Sequence, residues 1–259
     1  MASITLLSDF GTKDATAAIV RGILLKHNPH LSIYDITHDV DPYNISQAAY
    51  FLKSAYSYYP TGTVHIIMCG MFMTKEPSLT LSVCNGHYFI CTNNGLLPLA
   101  LQNQPIKSWF YPDLDKTDTF NSWLVTTCKL VKKLPLTGSD NNGLKDIILL
   151  GNNTASQNSN INQNNIEVIH IDQFENVILN INKEQFYEIT YGMPFKLQFK
   201  KVEEIREIST NYSDVREGYK LARFNSNGYL EIGINKGKAA SLFGLRLGAK
   251  NNDIKLILE

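Results

Sequence analysis

Neither kind of charge is in excess: 24 basic side chains face 24 acidic ones, for a formal net charge of zero. Without an electrostatic excess there is no footprint for a nucleic-acid backbone or an anionic membrane surface, so neither is expected as a partner. Long apolar runs are missing too, since none approaches the 18 or so residues that span a bilayer. Cysteine is sparse. Cys69, Cys84, Cys91 and Cys128 lie in or near apolar runs, with no CxxC pair and no histidine at metal-ligand spacing, which predicts buried free thiols and no metal site. No P-loop, GxGxxG or GxSxG motif is present. The opening "MASITLLSDFG" lacks the basic region and apolar stretch of a signal peptide, and a cytoplasmic location is expected.

What is there is an ordinary globular composition, 44% apolar and 19% charged over 259 residues, enough for one large domain or two medium ones. "SITLLSD", "LSIYDIT" and "GTVHIIMC" read as strands, separated by the helical patterns "DATAAIVRGILLKHNP" and "ISQAAYFLKSAYSYYP", with Ser46 as the expected cap of the second. That alternation predicts a mainly parallel sheet with crossover helices. A hairpin turning at Asn85-Gly86 follows, then the helix "TFNSWLVTTCKLVKKL". Residues 152 to 165, "NNTASQNSNINQNN", have nothing to bury and read as a linker or loop tip. Beyond them the pattern turns to β. The expected organisation is an α/β domain over residues 1–160 and a smaller β-rich domain over 161–259.

Candidate chemistry gathers at strand ends. Asp9 and Asp14 lie just past the first strand, where ligands sit in open parallel sheets, and two carboxylates there can grip the hydroxyls of a ribose. Asp14 reads equally well as a helix cap. Asp35, His38, Asp41 and Tyr43 follow the second strand; His38 alone is more often a structural hydrogen-bonding residue than a ligand. Asn93, Asn94 and Gly95 form a tight turn. In the second domain Asp172, Phe174 and Asn176 stand together, as do Ser226, Tyr229 and the small pair Ala239 and Ala240. An aromatic ring beside an acid and an amide suits a flat heterocycle, although core packing explains Phe174 and Tyr229 as well.

In order along the chain, "ITLLSDFGTKD", "DITHDVDPYNISQAAYFL", "YYPTGTVH", "YFICTNNGLL", "DQFENVILNI" and "NSNGYLEIGINKGKAASLFGL" resemble the S-adenosylmethionine (SAM) hydroxide adenosyltransferases, the SAM hydrolases related to the fluorinase and chlorinase enzymes. The resemblance implies an α/β N-terminal domain, a β-barrel-like C-terminal domain, and a homotrimer whose ligand lies between neighbouring subunits. It implies SAM or adenosine as the small-molecule ligand, with no separate cofactor. Asp9 would hold the ribose beside Tyr43, where the halogenases carry Trp. Asn94, Asp172, Phe174, Asn176, Ser226, Tyr229 and Ala239 would line the ligand, and Asn227 stands where the halogenases carry Arg.

The family's hydrolases carry an Asp and an Arg in a "VDPGVGTxRR"-like loop and a His in a "TFHGRD"-like motif. Here the loop reads "MCGMFMTKEP" and the motif "TFNSW". Aligned forward from His65 the Asp position falls on Gly70; aligned backward from Thr74, with one residue missing, the Arg position falls on Glu76; the His position falls on Asn121. Glu76 and Ser122 are the candidate substitutes, Ser122 matching a serine of the halogenases, with Cys69 a nearby thiol. Met71, Phe72 and Met73 occupy a loop that relatives build from small residues. Two functions follow from the resemblance: SAM hydrolysis to adenosine and methionine, or an inactive adenosyl-ligand-binding or trimeric scaffold homologue.

Overall fold

The computed structural model describes residues 3–73, 78–102, 104–111, 114, 119–134, 145–146, 166–200, 202–248 and 252–259. They belong to two compact units, Met1–Gln157 and Asn158–Glu259. The boundary expected near residue 160, the Asn-rich stretch and Glu76 lie outside the described residues.

The first unit is built from β1 (Ser3–Ser8), α1 (Thr16–His27), β2 (Ser32–Thr37), α2 (Ile45–Ala55), β3 (Val64–Met68), β4 (Leu79–Cys84), β5 (His87–Cys91), α3 (Leu96–Ala100), β6 (Lys107–Tyr111), α4 (Thr119–Lys133) and β7 (Lys145–Asp146). The strands form one sheet in the order β2-β1-β3-β5-β4-β6-β7. β2, β1, β3 and β5 run parallel, and β4, β6 and β7 continue antiparallel. Near-continuous apolar runs such as "VHIIM", buried at all five positions, are what a sheet covered on both faces requires. Ile4, Leu6, Ile66 and Met68 pack with Val20 and Leu24 of α1 and Trp123 and Leu124 of α4. Leu7, Ile67 and Phe89 face the other way, onto Ala48, Ala49 and Leu52 of α2 and Leu96 and Leu97 of α3. Each buried Val, Leu, Ile, Met or Phe among them stabilises the fold by about 1.5–3 kcal/mol.

Local signals explain the element ends. Asn85 and Gly86 both have positive φ, at 49° and 77°, as the two-residue hairpin turn between β4 and β5 demands. The cap of α2 is Asn44, whose side chain accepts the Gln47 N–H, and the expected cap Ser46 sits inside the first turn. Asn44 takes the role because its N–H already bonds the Asp41 carbonyl, which turns the chain before Ile45.

The second unit contains β8 (Val168–Ile171), β9 (Val177–Asn182), α5 (Lys183–Thr190), β10 (Phe195–Phe199), β11 (Glu203–Ile205), β12 (Lys220–Phe224), β13 (Tyr229–Ile234), α6 (Ala239–Phe243) and β14 (Lys255–Leu258). Its strands form two antiparallel sheets, β12-β13-β9-β8 and β11-β10-β14. Val177, Leu179, Leu197, Phe199, Leu230, Ile232 and Leu256 share a single core among the described residues of this unit. The barrel-like expectation resolves into this pair of sheets, which do not close into a barrel among the described residues.

Candidate functional site

In the first unit the chain runs from β1 to β2 on one side, then crosses to β3 on the other. The crevice at the carboxyl ends of these strands, where the order switches, is the natural ligand position in an open α/β sheet. Asp9, the first residue past β1, joins both flanking loops there. Its Oδ2 accepts the backbone N–H of Tyr43 and that of Gly70, each at 3.0 Å. No described residue donates to Oδ1. One carboxylate oxygen is therefore anchored by the fold and the other keeps its acceptor capacity.

Tyr43, 64% exposed, takes a left-handed φ of 64° to deliver its N–H to Asp9. Such a conformation costs a non-glycine residue on the order of 1 kcal/mol and marks functional loops more often than others. A buried brace steadies the same loops. Ser8 Oγ lies 2.6 Å from His38 Nδ1, and Gly11 N–H donates to the His38 carbonyl at 2.7 Å. Asp35 carries an ion pair with Arg21, and its Oδ1 is 3.3 Å from His38 Nε2, outside hydrogen-bond geometry. Burial raises the Asp35 carboxyl, but Arg21 and then His38 outweigh it and hold it below the usual range. Asp14 is exposed, and its Oδ1 accepts the Thr16 N–H at 2.8 Å, so it serves the start of α1.

The loop after β3 divides its apolar residues between two tasks. Met71 is buried and extends the core under α1 and α4. Phe72 and Met73 are each 54% exposed, and Phe72 packs against Phe120 of α4, which in turn meets Phe10 edge-on. Gly70 turns the loop at φ 59°, and a Cβ there would come 2.8 Å from Met73 Sδ and 3.3 Å from Asn94 Nδ2. Asn94 is a structural tie: its Nδ2 donates to the Cys69 carbonyl and its Oδ1 accepts the Leu96 N–H. Asn121 is exposed and Ser122 half-buried in the first turns of α4, beside Phe120. Burial, then the Asp9 charge and Cys91, push the Cys69 thiol well above its ordinary range. It is a protonated core thiol and not a nucleophile at neutral pH. Among the described residues no group of three His, Cys, Asp or Glu could hold a metal.

In the second unit the β8–β9 turn folds around Asp172. Its Oδ1 accepts the N–H groups of Phe174 and Asn176, and its Oδ2 accepts Asn176 Nδ2 at 2.9 Å. This turn leaves the Phe174 ring 75% exposed beside the acid and amide. Ser226 is exposed in the β12–β13 turn, whereas Tyr229 is buried at the start of β13, which pushes its hydroxyl up to about 12. Ala239 opens α6 and is wholly buried, and the Ala240 N–H bonds the Glu175 carbonyl, tying α6 to the Asp172 turn.

Several residues went unread in the sequence. Tyr212 accepts from Asn176 Nδ2 at 3.1 Å and donates to buried Glu231, while the Arg223 guanidinium lies 4.8 Å from the Tyr212 ring centre. The available signal was a lone acid in the otherwise apolar "YLEIGI", a strand buried at all six positions.

Comparison with known proteins agrees over both units. Residues 4–123 match the SAM hydroxide adenosyltransferase N-terminal domain and residues 166–251 the C-terminal domain. An (R)-S-adenosyl-L-methionine hydrolase of Methanocaldococcus jannaschii is 27% identical over 93% of this chain and 92% of its own length. One from Salinispora tropica is 23% identical over 95% of each. A fluorinase of an Actinoplanes species matches 24% of the chain at 31% identity. An uncharacterised conserved protein of Thermotoga maritima shares the fold with a TM-score of 0.75 at 22% identity, over 99% of this chain and all of the other. With both domains matched in order across most of its length, this chain belongs to the SAM hydroxide adenosyltransferase family.

Proposed function

We propose that this protein binds SAM and processes it, the ribose hydroxyls resting on Asp9. The observation that carries the reading is the half-satisfied Asp9 carboxylate, fixed by the Tyr43 and Gly70 amides with one oxygen left to accept. A charged acceptor held this way forms strong hydrogen bonds to vicinal hydroxyls. In the second unit, taken by itself, the exposed Phe174 ring beside Asp172 and Asn176 offers a stacking face and acceptors suited to an adenosyl compound. The proposed assembly is a homotrimer in which neighbouring copies share each ligand; sedimentation velocity tests it, a monomer being the adverse result.

The reaction assigned is opening of the C5′–sulfonium bond by water. A C5′–O bond forms, the C–S electron pair stays on sulfur as methionine leaves, and the water proton passes to solvent, giving adenosine. Because the sulfonium is already a good leaving group, the protein's part is positioning and exclusion of bulk water. The Gly70 and Asn121 positions supply no titratable group. Purified protein incubated with SAM should release adenosine and methionine above the protein-free rate, and Asp9→Asn should lower kcat/KM at least about tenfold. No adenosine and no heat of SAM binding would overturn both parts.

A second reading, ligand holding without turnover, is favoured by Met73, whose sulfur crowds Gly70 where the family's hydrolases carry their acid. Calorimetry with SAM, adenosine and methionine separates the two: heat without product supports holding.

A further inference from the structure

We infer that Glu231 is a positioning residue: acting through Tyr212, it fixes the side-chain amide of Asn176 with both amide hydrogens engaged inside the protein and the carbonyl oxygen left as an acceptor. This rests on the adenosyl-ligand reading only where a ligand is named. The chain of donors is determinate. The Tyr212 hydroxyl has one hydrogen, which it gives to Glu231 Oε1, so toward Asn176 it can only accept. Asn176 must then donate to it, at 3.1 Å, and the second amide hydrogen goes to Asp172 Oδ2 at 2.9 Å. An amide turned the other way would set its oxygen against the Asp172 carboxylate and lose both bonds. No described residue donates to Asn176 Oδ1.

Two further contacts hold the device. Glu231 is only 4% exposed on β13, with the Arg223 Nη1 3.8 Å from the same oxygen and its guanidinium over the Tyr212 ring. Gly233, two residues along the strand, admits the close approach of both partners: a Cβ there would lie 3.0 Å from Asn176 Oδ1 and 3.1 Å from Tyr212 Cε1. The consequence is chemical. Asn176 and Asp172 together present acceptors and no free side-chain donor, so this turn of the second unit selects ligands by their N–H groups, such as an exocyclic amine or an ammonium.

Solvent exchange of the Asn176 side-chain amide, assigned by NMR through the signal lost in Asn176→Asp, decides the inference without any ligand. In the intact protein it should be slow. Tyr212→Phe and Glu231→Leu should each speed it at least about tenfold, while Glu231→Gln, which keeps an acceptor for Tyr212, restores it. Unchanged exchange in Tyr212→Phe would overturn the inference, as would a Glu231→Gln protein no slower than Glu231→Leu.

The ligand arm compares adenosine with inosine, and methionine with its 2-hydroxy analogue, by calorimetry. The amine-bearing member of one pair should be preferred, and Tyr212→Phe should reduce that ratio about tenfold. A merely structural role would weaken both members alike, and that result counts against the inference. Slow, variant-sensitive exchange in a protein that takes none of the four compounds leaves Glu231 as the positioning group and overturns the adenosyl reading alone.

Discussion

The thioether of Met73 overlies Gly70 so closely that a Cβ on Gly70 would come within 2.8 Å of its sulfur. Gly70→Ala therefore meets two penalties, the left-handed φ of 59° and the sulfur contact. Together they should cost at least about 1 kcal/mol. The double variant Gly70→Ala/Met73→Ala should recover the contact part. Thermal melts of the three proteins check this, and a double variant no more stable than Gly70→Ala would show that the sulfur is not the obstacle.

Tyr43 holds a conformation better suited to glycine, with its ring in solvent. Stability alone does not explain that choice. Tyr43→Gly should melt at the same temperature or higher, by about 1 kcal/mol of relieved strain, yet bind SAM at least about tenfold more weakly. Melting and calorimetry on one preparation suffice. Affinity equal to that of the unaltered protein would remove Tyr43 from the site.

Glu175 also has a left-handed φ, 64°, and its side chain compensates: the carboxylate takes the Ser241 N–H at 3.0 Å and the Lys238 ammonium at 2.8 Å. Glu175→Gly loses those contacts but relieves the backbone, while Glu175→Ala loses them and keeps the strain. The melting order should be unaltered protein, then Glu175→Gly, then Glu175→Ala. Lys238 first, then Ser241, hold this carboxyl down to about 2, against an ordinary 4.5. Its contribution is therefore present above 4.5 and lost as pH falls toward 2.

Inside the sheet, Thr5 Oγ1 lies 2.7 Å from His65 Nδ1, and His65 Nε2 lies 3.1 Å from His87 Nδ1. Burial, then the neighbouring His87, push His65 down to about 3 from an ordinary 6.5, and burial lowers His87 as well. Below 6.5 the unfolded chain takes up protons that the folded chain refuses. Stability present above 6.5 should thus fall as pH drops toward 3, by up to about 1.4 kcal/mol per pH unit for His65. Melting temperatures between about pH 7.5 and 4.5 measure the slope, which His65→Gln should flatten. An equal slope in that variant would assign the acid sensitivity elsewhere.

The sheet was legible because burial on both faces writes itself as runs like "VHIIM" between amphipathic helices. Asp9 could be picked out as a candidate by its place directly past a parallel strand, but its ties to the Tyr43 and Gly70 amides could not, because those residues lie far along the chain. His65 was not: nothing in a strand of that pattern says that its ring will meet His87, 22 residues on. The Glu231–Tyr212–Asn176 chain was hidden for a like reason, its members brought together by β9–β13 pairing and by the loop before β12, and not by spacing. Asn44 displaced Ser46 as a cap because the preceding turn, and not the residue's own preference, decided where α2 starts.

Asp9 spans 34 residues to reach Tyr43 and 61 to reach Gly70. The first closes with β1–β2 pairing and the second with β1–β3 pairing, so the two-bond acceptor is complete only after both, late in folding, once the loop-closure entropy has been overcome. A ligand gripping it would recognise only the finished sheet. It should slow unfolding and leave the folding rate nearly unchanged, which makes the small molecule a kinetic clamp on the centre of the domain.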